Sequence, residues 1–223
     1  MSKRIYALND KVFDTINRNS AYWIGFLYGD GNCTCQNKIR LALSWSDRDH
    51  LIKFRDFLQT PDRPIKEVVT EYGHNASIEL RSWKLHNILK KYELTKRKDH
   101  RGYVHIDLLQ DSIVSDFVRG IFDADGCFYY DGLHKNNLFA EITGRKPLMK
   151  SLKQVLVRHN IINDKKKIVK NGSIFRIRLA KQDTLKLVAF LYKDNPRYFL
   201  KRKYGIAKCY LDRLNESTKQ QSK

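Results

Sequence analysis

The order of hydrophobic and polar positions along the chain predicts strands and helices that occur in the same order twice. Between 38 and 45, large apolar residues occupy every second position, at Ile39, Leu41 and Leu43, which is typical of a strand with one buried face. Leu51, Phe54 and Leu58 are instead spaced like the buried face of a helix. The same succession of patterns returns after residue 126, so the chain is predicted to have two similar halves.

Each half is predicted to contain an opening helix, two strands, a helix, two more strands and a final helix. Ser46 and Asp49 form a capping-box pattern at the start of one helix. Pro147 suits the first turn of another helix, and Asn171 and Gly172 are typical of a tight hairpin. The predicted strands are 33–36, 38–45, 65–70, 76–81, 127–130, 137–143, 166–170 and 173–179, and the predicted later helices are 46–60, 83–92, 147–159, 183–192 and 196–214.

A repeated nonapeptide opens each half. Residues 23–31 read WIGFLYGDG and residues 118–126 read VRGIFDADG, so matching positions lie 95 residues apart. Both copies have small residues four positions apart, which share one helix face. Two such faces allow helix backbones to come into close contact. These small residues are Gly25, Gly29, Gly120 and Ala124.

We therefore predict an α+β fold made of tandem pseudo-twofold αββαββα units. The two helices that carry the nonapeptides, called the motif helices, are expected to pack on each other at the centre, with an antiparallel sheet in each half. The predicted boundaries are 1–18 for an N-terminal extension, 19–97 for the first half, 98–111 for a linker, 112–214 for the second half and 215–223 for a polar tail.

The nonapeptides place a carboxylate, Asp30 or Asp125, in the last turn of each motif helix, before a glycine (Gly31 or Gly126) that suits a left-handed C-cap. The negative end of the helix dipole is unfavourable for a carboxylate by roughly 0.3–1 kcal/mol. Parallel helices would also bring the two carboxylates together, and like charges ~4 Å apart repel by about 4 kcal/mol at an effective dielectric constant of about 20. A divalent cation would reconcile both effects, and oxygen-only ligands favour Mg²⁺, Mn²⁺ or Ca²⁺ over zinc.

The composition indicates the class of partner. The 223 residues include 43 Lys and Arg against 24 Asp and Glu, a formal net charge of +19. Such an excess, spread through folded segments, favours nucleic acid over a membrane surface. No apolar run approaches the ~20 residues that cross a bilayer. With no signal-peptide core and no CxxC pair among the four cysteines, we expect a reducing cytoplasmic or organellar location, no secretion and no zinc site.

Both nonapeptides resemble the motifs of a known family, the LAGLIDADG homing endonucleases, in the single-chain form that carries two motifs. The longer stretches AYWIGFLYGDGN, DFVRGIFDADGC and YFLKRKYG add to the resemblance, which extends from about residue 19 to about residue 214. The first copy departs at its sixth position, where Tyr28 stands and the second copy keeps Asp123. That position is generally structural in the family.

The resemblance implies a site-specific double-strand DNA endonuclease. It implies that Asp30 and Asp125 are catalytic metal ligands and that the carbonyl oxygens of Gly29 and Ala124 are further ligands. The cofactor would be Mg²⁺, with Mn²⁺ as a substitute and Ca²⁺ binding without cleavage. Phosphodiester hydrolysis would occur across the minor groove and leave short 3′ overhangs. One chain would act as a monomer on a long, asymmetric double-stranded target.

Two groups of residues are assigned to the DNA. Arg145 and Lys146, at the strand-to-helix junction after the second motif, are the candidate basic catalytic residues that would polarise the phosphate. The antiparallel sheets are expected to form a DNA-binding saddle. Strand alternation separates a buried face from an outward face, and the outward side chains are expected to read the major groove. These outward residues are Lys38, Arg40, Ser44, Ser77, Glu79, Arg81, Lys167, Arg176 and Arg178.

Two other functions stay open from the sequence. One is an RNA-binding maturase whose partner is intron RNA, and the other is a non-catalytic DNA-binding regulator. The retained Asp30 and Asp125 argue against the regulator, as does the lack of an added helix-turn-helix. The basic run at 201–203 is either a solvated helix face or a contact to the DNA backbone.

Overall fold

The computed structural model describes residues 6–33, 37–71, 73–94, 106, 109–130 and 137–221. The chain forms two compact units, Met1–Ala124 and Asp125–Lys223. The boundary between them lies at the end of the second motif helix, and most of the predicted linker at 98–111 lies outside the described residues. The reason is that the second motif helix packs against the first motif helix, so its contacts belong to the first unit.

The first unit combines helices with one antiparallel sheet. Strand order in the sheet is β1-β2-β4-β3, and the register pairs Leu41 of β2 with Ile78 of β4, both buried. Its described elements are α1 Arg18–Asp30, β1 Gly31–Cys33, β2 Lys38–Ser44, α2 Arg48–Phe57, β3 Lys66–Thr70, β4 Gly73–Arg81, α3 Trp83–Lys91 and α4 Asp111–Asp125, with 3₁₀ turns at Asp10–Phe13 and Trp45–Asp47.

The second unit has the same strand order in its own antiparallel sheet, β5-β6-β8-β7. This repetition confirms the predicted α+β fold with two four-stranded antiparallel sheets. Its described elements are β5 Gly126–Tyr130, β6 Leu138–Gly144, α5 Lys146–Arg158, β7 Val169–Asn171, β8 Ile174–Ala180, α6 Gln182–Tyr192 and α7 Lys201–Gln221.

Helices cover one face of each sheet through the predicted apolar stripes. Leu51 and Phe54 of α2 are fully buried, and α2 packs on β4. Leu152 and Leu156 of α5 are also fully buried, and α5 packs on β8. Each such side chain contributes about 1.5–3 kcal/mol through removal from water, so these stripes account for the attachment of α2 and α5 to their sheets.

The start of α2 differs from the capping-box prediction. A 3₁₀ turn occupies Trp45–Asp47, and the helix begins at Arg48 with Asp47 as an N-cap that makes no side-chain cap bond. The Ser46 hydroxyl lies 3.0 Å from the Ser44 hydroxyl instead. The capping box is therefore wrong, because the Ser46 side chain bonds back toward the preceding strand.

The last helix also differs from its prediction. It begins at Lys201 and not at 196, because the backbone of 196–200 is not helical and the first turn is closed by hydrogen bonds from Lys203 and Tyr204 to the carbonyl oxygen of Leu200. It continues to Gln221, through most of the predicted polar tail, which contains no Pro or Gly to end it.

Two further observations concern composition. Within the described residues, no helix has the length and apolar character that crossing a membrane would require. Among the described residues, Cys33, Cys127 and Cys209 form no disulfide.

Candidate functional site

The motif helices α1 and α4 touch through their backbones. A Cβ added at Gly25 would lie 2.1 Å from the carbonyl oxygen of Phe117, and one added at Gly120 would lie 2.1 Å from that of Tyr22. Real Cβ atoms do not approach backbone oxygens so closely, so only glycine fits at either position. Gly29 is buried and Ala124 half-buried in the last turns of the same helices.

The contacts between α1 and α4 advance together along both helices. Arg18 pairs with Asp116 near the earlier ends, and Gly25 meets Ile121 further along. The two helices are therefore parallel. Their C-terminal ends consequently lie on the same side of the first unit. Asp30 is the last residue of α1 and Asp125 the last residue of α4, and both are half-buried.

The glycines that follow these carboxylates are not left-handed C-caps. Gly31 has φ −79° and ψ 143°, an extended conformation that leads directly into β1. Gly126 opens β5, and the described glycines with positive φ are Gly73 and Gly172. Gly31 is needed for a different reason, since a Cβ there would lie 2.4 Å from the carbonyl oxygen of Leu27.

The donor atoms at the two helix ends suit a hard cation. Asp30 and Asp125 each offer a carboxylate beside the backbone carbonyl groups of a last helical turn. Within the described residues, no cluster of three or more His, Cys, Asp or Glu could hold a metal by itself. Mg²⁺ suits such sparse oxygen sets, because it is usually bound by one or two carboxylates together with water and substrate phosphates. The Thr143 hydroxyl donates to the carbonyl oxygen of Asp125 at 3.1 Å and steadies that turn.

A buried polar cluster crosses the α1–α4 contact, and the sequence did not predict it. The Tyr22 hydroxyl donates to Oδ2 of Asp123 at 2.9 Å and lies 2.7 Å from Nε2 of His50. Asp123 is 1% exposed, which places the sixth-position carboxylate of the second motif in the protein interior. Burial, and secondarily the charge of Lys53, lowers the pKa of His50 to about 3, so the ring is neutral. The sequence feature that could have indicated this cluster is the position of His50 on the apolar face of α2.

The two candidate basic catalytic residues both contact the beginning of β8. Arg145 precedes α5, and its Nη1 donates to the carbonyl oxygen of Ser173 at 3.2 Å. Lys146, the first residue of α5, has its amine 5.6 Å from the centre of the Phe175 ring. Their side chains are thus anchored at the β7–β8 hairpin.

A buried lysine in α7 was missed by the sequence interpretation. Lys203 is 2% exposed, so it belongs neither to a solvated face nor to an open DNA contact, although its two neighbours in the run are exposed. It lies on the same helix face as Leu200, Ala207 and Tyr210, all buried, and that spacing was the signal for its burial. The helix that carries it packs on β5. Its charge lowers the pKa of the Cys127 thiol, although burial raises that pKa overall.

No protein-family model and no curated protein sequence matches the chain. Solved structures match its fold. The I-LtrWI LAGLIDADG homing endonuclease bound to target DNA has a TM-score of 0.59 and 12% identity, over 90% of this chain and 92% of that one. I-SmaMI bound to an uncleaved DNA target with calcium ions has a TM-score of 0.61 and 13% identity, over 91% and 93%. The LAGLIDADG meganuclease I-AabMI bound to uncleaved DNA has a TM-score of 0.55 and 16% identity, over 93% and 92%. The fold is that of the LAGLIDADG homing endonucleases.

In this LAGLIDADG fold, the first sheet has the expected inward and outward alternation along β2. Arg40 and Ser44 are exposed, as is Arg81 of β4. Lys38 Nζ lies 2.8 Å from Oε2 of Glu79, and this hydrogen bond is the main reason that the pKa of Glu79 is lowered. The outward face therefore presents two exposed arginines, Arg40 and Arg81, and an ion pair between Lys38 and Glu79.

Ser77 and Lys167 lie in surroundings that the expected alternation did not describe. Ser77 lies on the outward face by register but is only 5% exposed, because its short side chain lies between β2 and β3, opposite Ala42 and Lys66. Lys167 is exposed but precedes β7, so strand alternation does not determine its direction. A half-buried Ile168 interrupts the polar residues there without forming a strand.

The second sheet of the LAGLIDADG fold combines arginine with aromatic rings on its outward face. Arg178 is exposed, and its guanidinium lies 4.6 Å from the ring centre of Phe139 and 5.5 Å from that of Tyr129. Those two rings stack on each other at 5.6 Å. Nη1 of Arg176 lies 3.4 Å from Glu141. Arg178 is thus held by stacking, which limits its freedom without neutralising its charge.

Proposed function

We propose that the chain is a site-specific DNA endonuclease in which Asp30 and Asp125 bind divalent cations. The observation that carries the proposal is that α1 and α4 pack in parallel through Gly25 and Gly120, and that each of these helices ends at an aspartate. Helix ends of this polarity disfavour carboxylates unless a cation is near. I-LtrWI and I-SmaMI, which share this fold, are homing endonucleases solved with bound DNA, which supports the same class of substrate.

The carboxylates of Asp30 and Asp125 would hold the cations, with the carbonyl oxygens of Gly29 and Ala124 as additional donors. Mg²⁺ is the proposed cofactor, with Mn²⁺ as a substitute and Ca²⁺ as a binding-competent but non-catalytic ion. When bound, Mg²⁺ supplies positive charge to the scissile phosphate and lowers the pKa of water. The calcium-containing complex of a structural neighbour supports the use of a divalent ion.

The protein's own basic residues would act on the negatively charged phosphate. Lys203 is buried in α7, which packs on β5, the strand that directly follows Asp125. A buried ammonium acts in a low-dielectric environment, where its attraction for a phosphate is stronger than in water. Arg145 and Lys146 remain candidates for the same role from the β7–β8 side.

The substrate proposed is a long, asymmetric double-stranded DNA site. Arg40 and Arg81 on one sheet and Arg178 on the other are exposed, and arginine suits both phosphates and guanine edges. The two sheets present different residues, so the two half-sites should differ. The net charge of +19 provides the sequence-independent part of the affinity. One chain carries both motifs and would act as a monomer, cutting across the minor groove to leave short 3′ overhangs.

The proposal is tested by incubating the chain with a library of randomised DNA duplexes in Mg²⁺ and in Ca²⁺. We expect double-strand cuts at one selected site in Mg²⁺ and binding without cuts in Ca²⁺. Asp30→Asn and Asp125→Asn should each abolish double-strand cleavage and leave DNA binding nearly intact, because neither carboxylate lies on the outward strands. Full cleavage by either variant would contradict the catalytic assignment.

A further inference from the structure

The Tyr22 hydroxyl links three helices of the first unit. It lies 2.7 Å from Nε2 of His50 in α2 and 2.9 Å from Oδ2 of Asp123 in the last turn of α4. All three side chains are almost fully buried. A helix that packs on the first sheet is therefore connected, through one hydroxyl of α1, to the end of the second motif helix.

The hydrogen-bonding partners of His50, Tyr22 and Asp123 determine which group donates and which accepts in each of these two hydrogen bonds. Within the described residues, Nδ1 of His50 is buried without a hydrogen-bond partner. The ring is neutral because burial lowers its pKa to about 3, so its single proton belongs on Nε2, where the Tyr22 oxygen can accept it. The Tyr22 proton is then donated to Asp123. Each buried proton thus has an acceptor, and the Asp123 carboxylate is fixed by a donor that is itself fixed.

The two motifs are unequal in this respect. Asp123 stands two residues before Asp125, at the sixth position of the second motif. The sixth position of the first motif is Tyr28, so α1 has no carboxylate there for an equivalent contact. The hydrogen bond from Tyr22 therefore holds the last turn of the second motif helix through its sixth-position carboxylate, a contact that Tyr28 cannot provide at the sixth position of the first motif.

We propose that Tyr22 and His50 are positioning residues for the second motif, holding the last turn of α4 so that Asp125 serves the cleavage of one particular DNA strand. This inference rests on the proposed endonuclease function. It predicts that the two strands of a target respond differently to the loss of one buried hydroxyl in the first unit.

The test uses the duplex that the wild-type protein selects from the randomised library, labelled at the 5′ end of one strand or the other. In Mg²⁺, Tyr22→Phe should slow nicking of one strand by about 10- to 100-fold and of the other by less than about twofold, since misplacement of a reacting group by ~1 Å costs ~100-fold in rate. Nicked DNA should accumulate. The substitution keeps the ring that packs 5.1 Å from the Trp23 ring.

Variants at His50 give an independent route to the same result, which also covers the case in which Tyr22→Phe does not fold. His50→Leu removes the donor to Tyr22 and should produce the same strand bias. His50→Gln keeps an amide donor and should restore the ratio of the two strand rates. Tyr92→Phe is the matched control, because it removes the hydroxyl of a half-buried tyrosine whose ring lies 6.2 Å from that of Phe117 in α4, outside this cluster.

Two readouts do not depend on cleavage. Long-range ¹H–¹⁵N NMR of the wild-type protein should show His50 as the Nε2–H tautomer, and Ca²⁺-dependent DNA binding by Tyr22→Phe should remain within about threefold of wild type, since the phosphate and base contacts are untouched. Equal slowing of both strands by Tyr22→Phe or His50→Leu, or an Nδ1–H tautomer, would overturn this inference alone. A wild-type protein that cuts neither strand would overturn the proposed function and this inference with it.

Discussion

Arg18 of α1 and Asp116 of α4 form an ion pair with a Nε–Oδ2 distance of 3.0 Å, in which the side chain of Arg18 is 40% exposed and that of Asp116 only 2%. The other carboxylate oxygen of Asp116 binds Arg119, which is 1% exposed. The carboxylate is thus the common partner of a buried and a half-exposed guanidinium. Its removal leaves a buried cation without that partner, whereas removal of Arg18 leaves Asp116 still paired.

Asp116→Ala should therefore lower the free energy of unfolding far more than Arg18→Met. Breaking a buried ion pair from one side costs about 3–5 kcal/mol, because the remaining charge stays buried. A half-exposed pair contributes about 1 kcal/mol or less. Urea unfolding of the two variants measures both values. Similar decreases in the free energy of unfolding in the two variants would contradict the prediction that Asp116 matters more than Arg18.

Gly25→Ala and Gly120→Ala should each destabilise the protein. The added Cβ would lie 2.1 Å from a backbone oxygen of the other motif helix, and overpacking of this kind costs about 1–3 kcal/mol or more. Gly205→Ala in α7 is the matched control, since a Cβ there meets nothing within 4 Å. The control should stabilise the protein by about 0.5–1 kcal/mol through helix propensity. Thermal unfolding of the three variants would show opposite signs, and a stabilising Gly25→Ala would refute close helix contact.

His50 should make stability fall as the pH decreases. Its pKa is lowered from 6.5 to about 3 in the folded protein. In the pH window between these two values, His50 binds a proton in the unfolded chain but not in the folded chain. The free energy of unfolding therefore rises with pH through the window. Between about pH 7.5 and about pH 5, this group should remove about 2 kcal/mol from the wild type, a loss that His50→Gln lacks. Chemical denaturation at the two pH values measures the difference, and parallel curves for the two proteins would argue against a neutral buried ring.

Lys203→Met should slow cleavage by about 100-fold, the effect expected when one preorganised charge is removed from a catalytic site. Lys201→Met is the control, because Lys201 is exposed in the same basic run. It should change the rate little and reduce only the salt-dependent part of DNA binding. Single-turnover cleavage in Mg²⁺ separates the two. Equal effects of the two substitutions would place Lys203 outside the cleavage chemistry.

DNA affinity should fall steeply as salt increases. The formal net charge of +19 implies many phosphate contacts, and each contributes about −0.9 to the slope of log affinity against log salt. Fluorescence anisotropy in Ca²⁺ at increasing KCl concentration gives the slope. A slope near zero would be incompatible with nucleic acid as the partner.

The fold was predictable where the pattern is periodic and local. The stripe at Leu51 and Phe54 and the alternation at Ile39, Leu41 and Leu43 are buried as expected, since period alone determines which face an element buries. The hairpin at 171–172 is also as expected, because Gly172 adopts the positive φ of 60° that the turn needs.

The candidate site was less predictable, because its key contacts join residues far apart in sequence. Nothing near Tyr22 indicates that its hydroxyl lies between His50 and Asp123, and that arrangement depends on three helices being in place. Lys203 was misinterpreted for the opposite reason, since the charges beside it hid the apolar face that it shares with Ala207. Lys167 shows a third limit, because the predicted strand at 166–170 begins only at Val169 and its sequence has no clear alternation to determine which side chains face outward.

The position of the unit boundary, between Ala124 and Asp125, has a consequence for recombining proteins of this fold. A chimera joined in the segment before α4 would place an α1 from one parent against an α4 from another. Gly25, Gly120 and the buried charges at Asp116 and Arg119 would then meet side chains selected for a different helix. Modular exchange of halves would succeed only if α1 and α4 are inherited as a matched pair, with the graft made after the second motif.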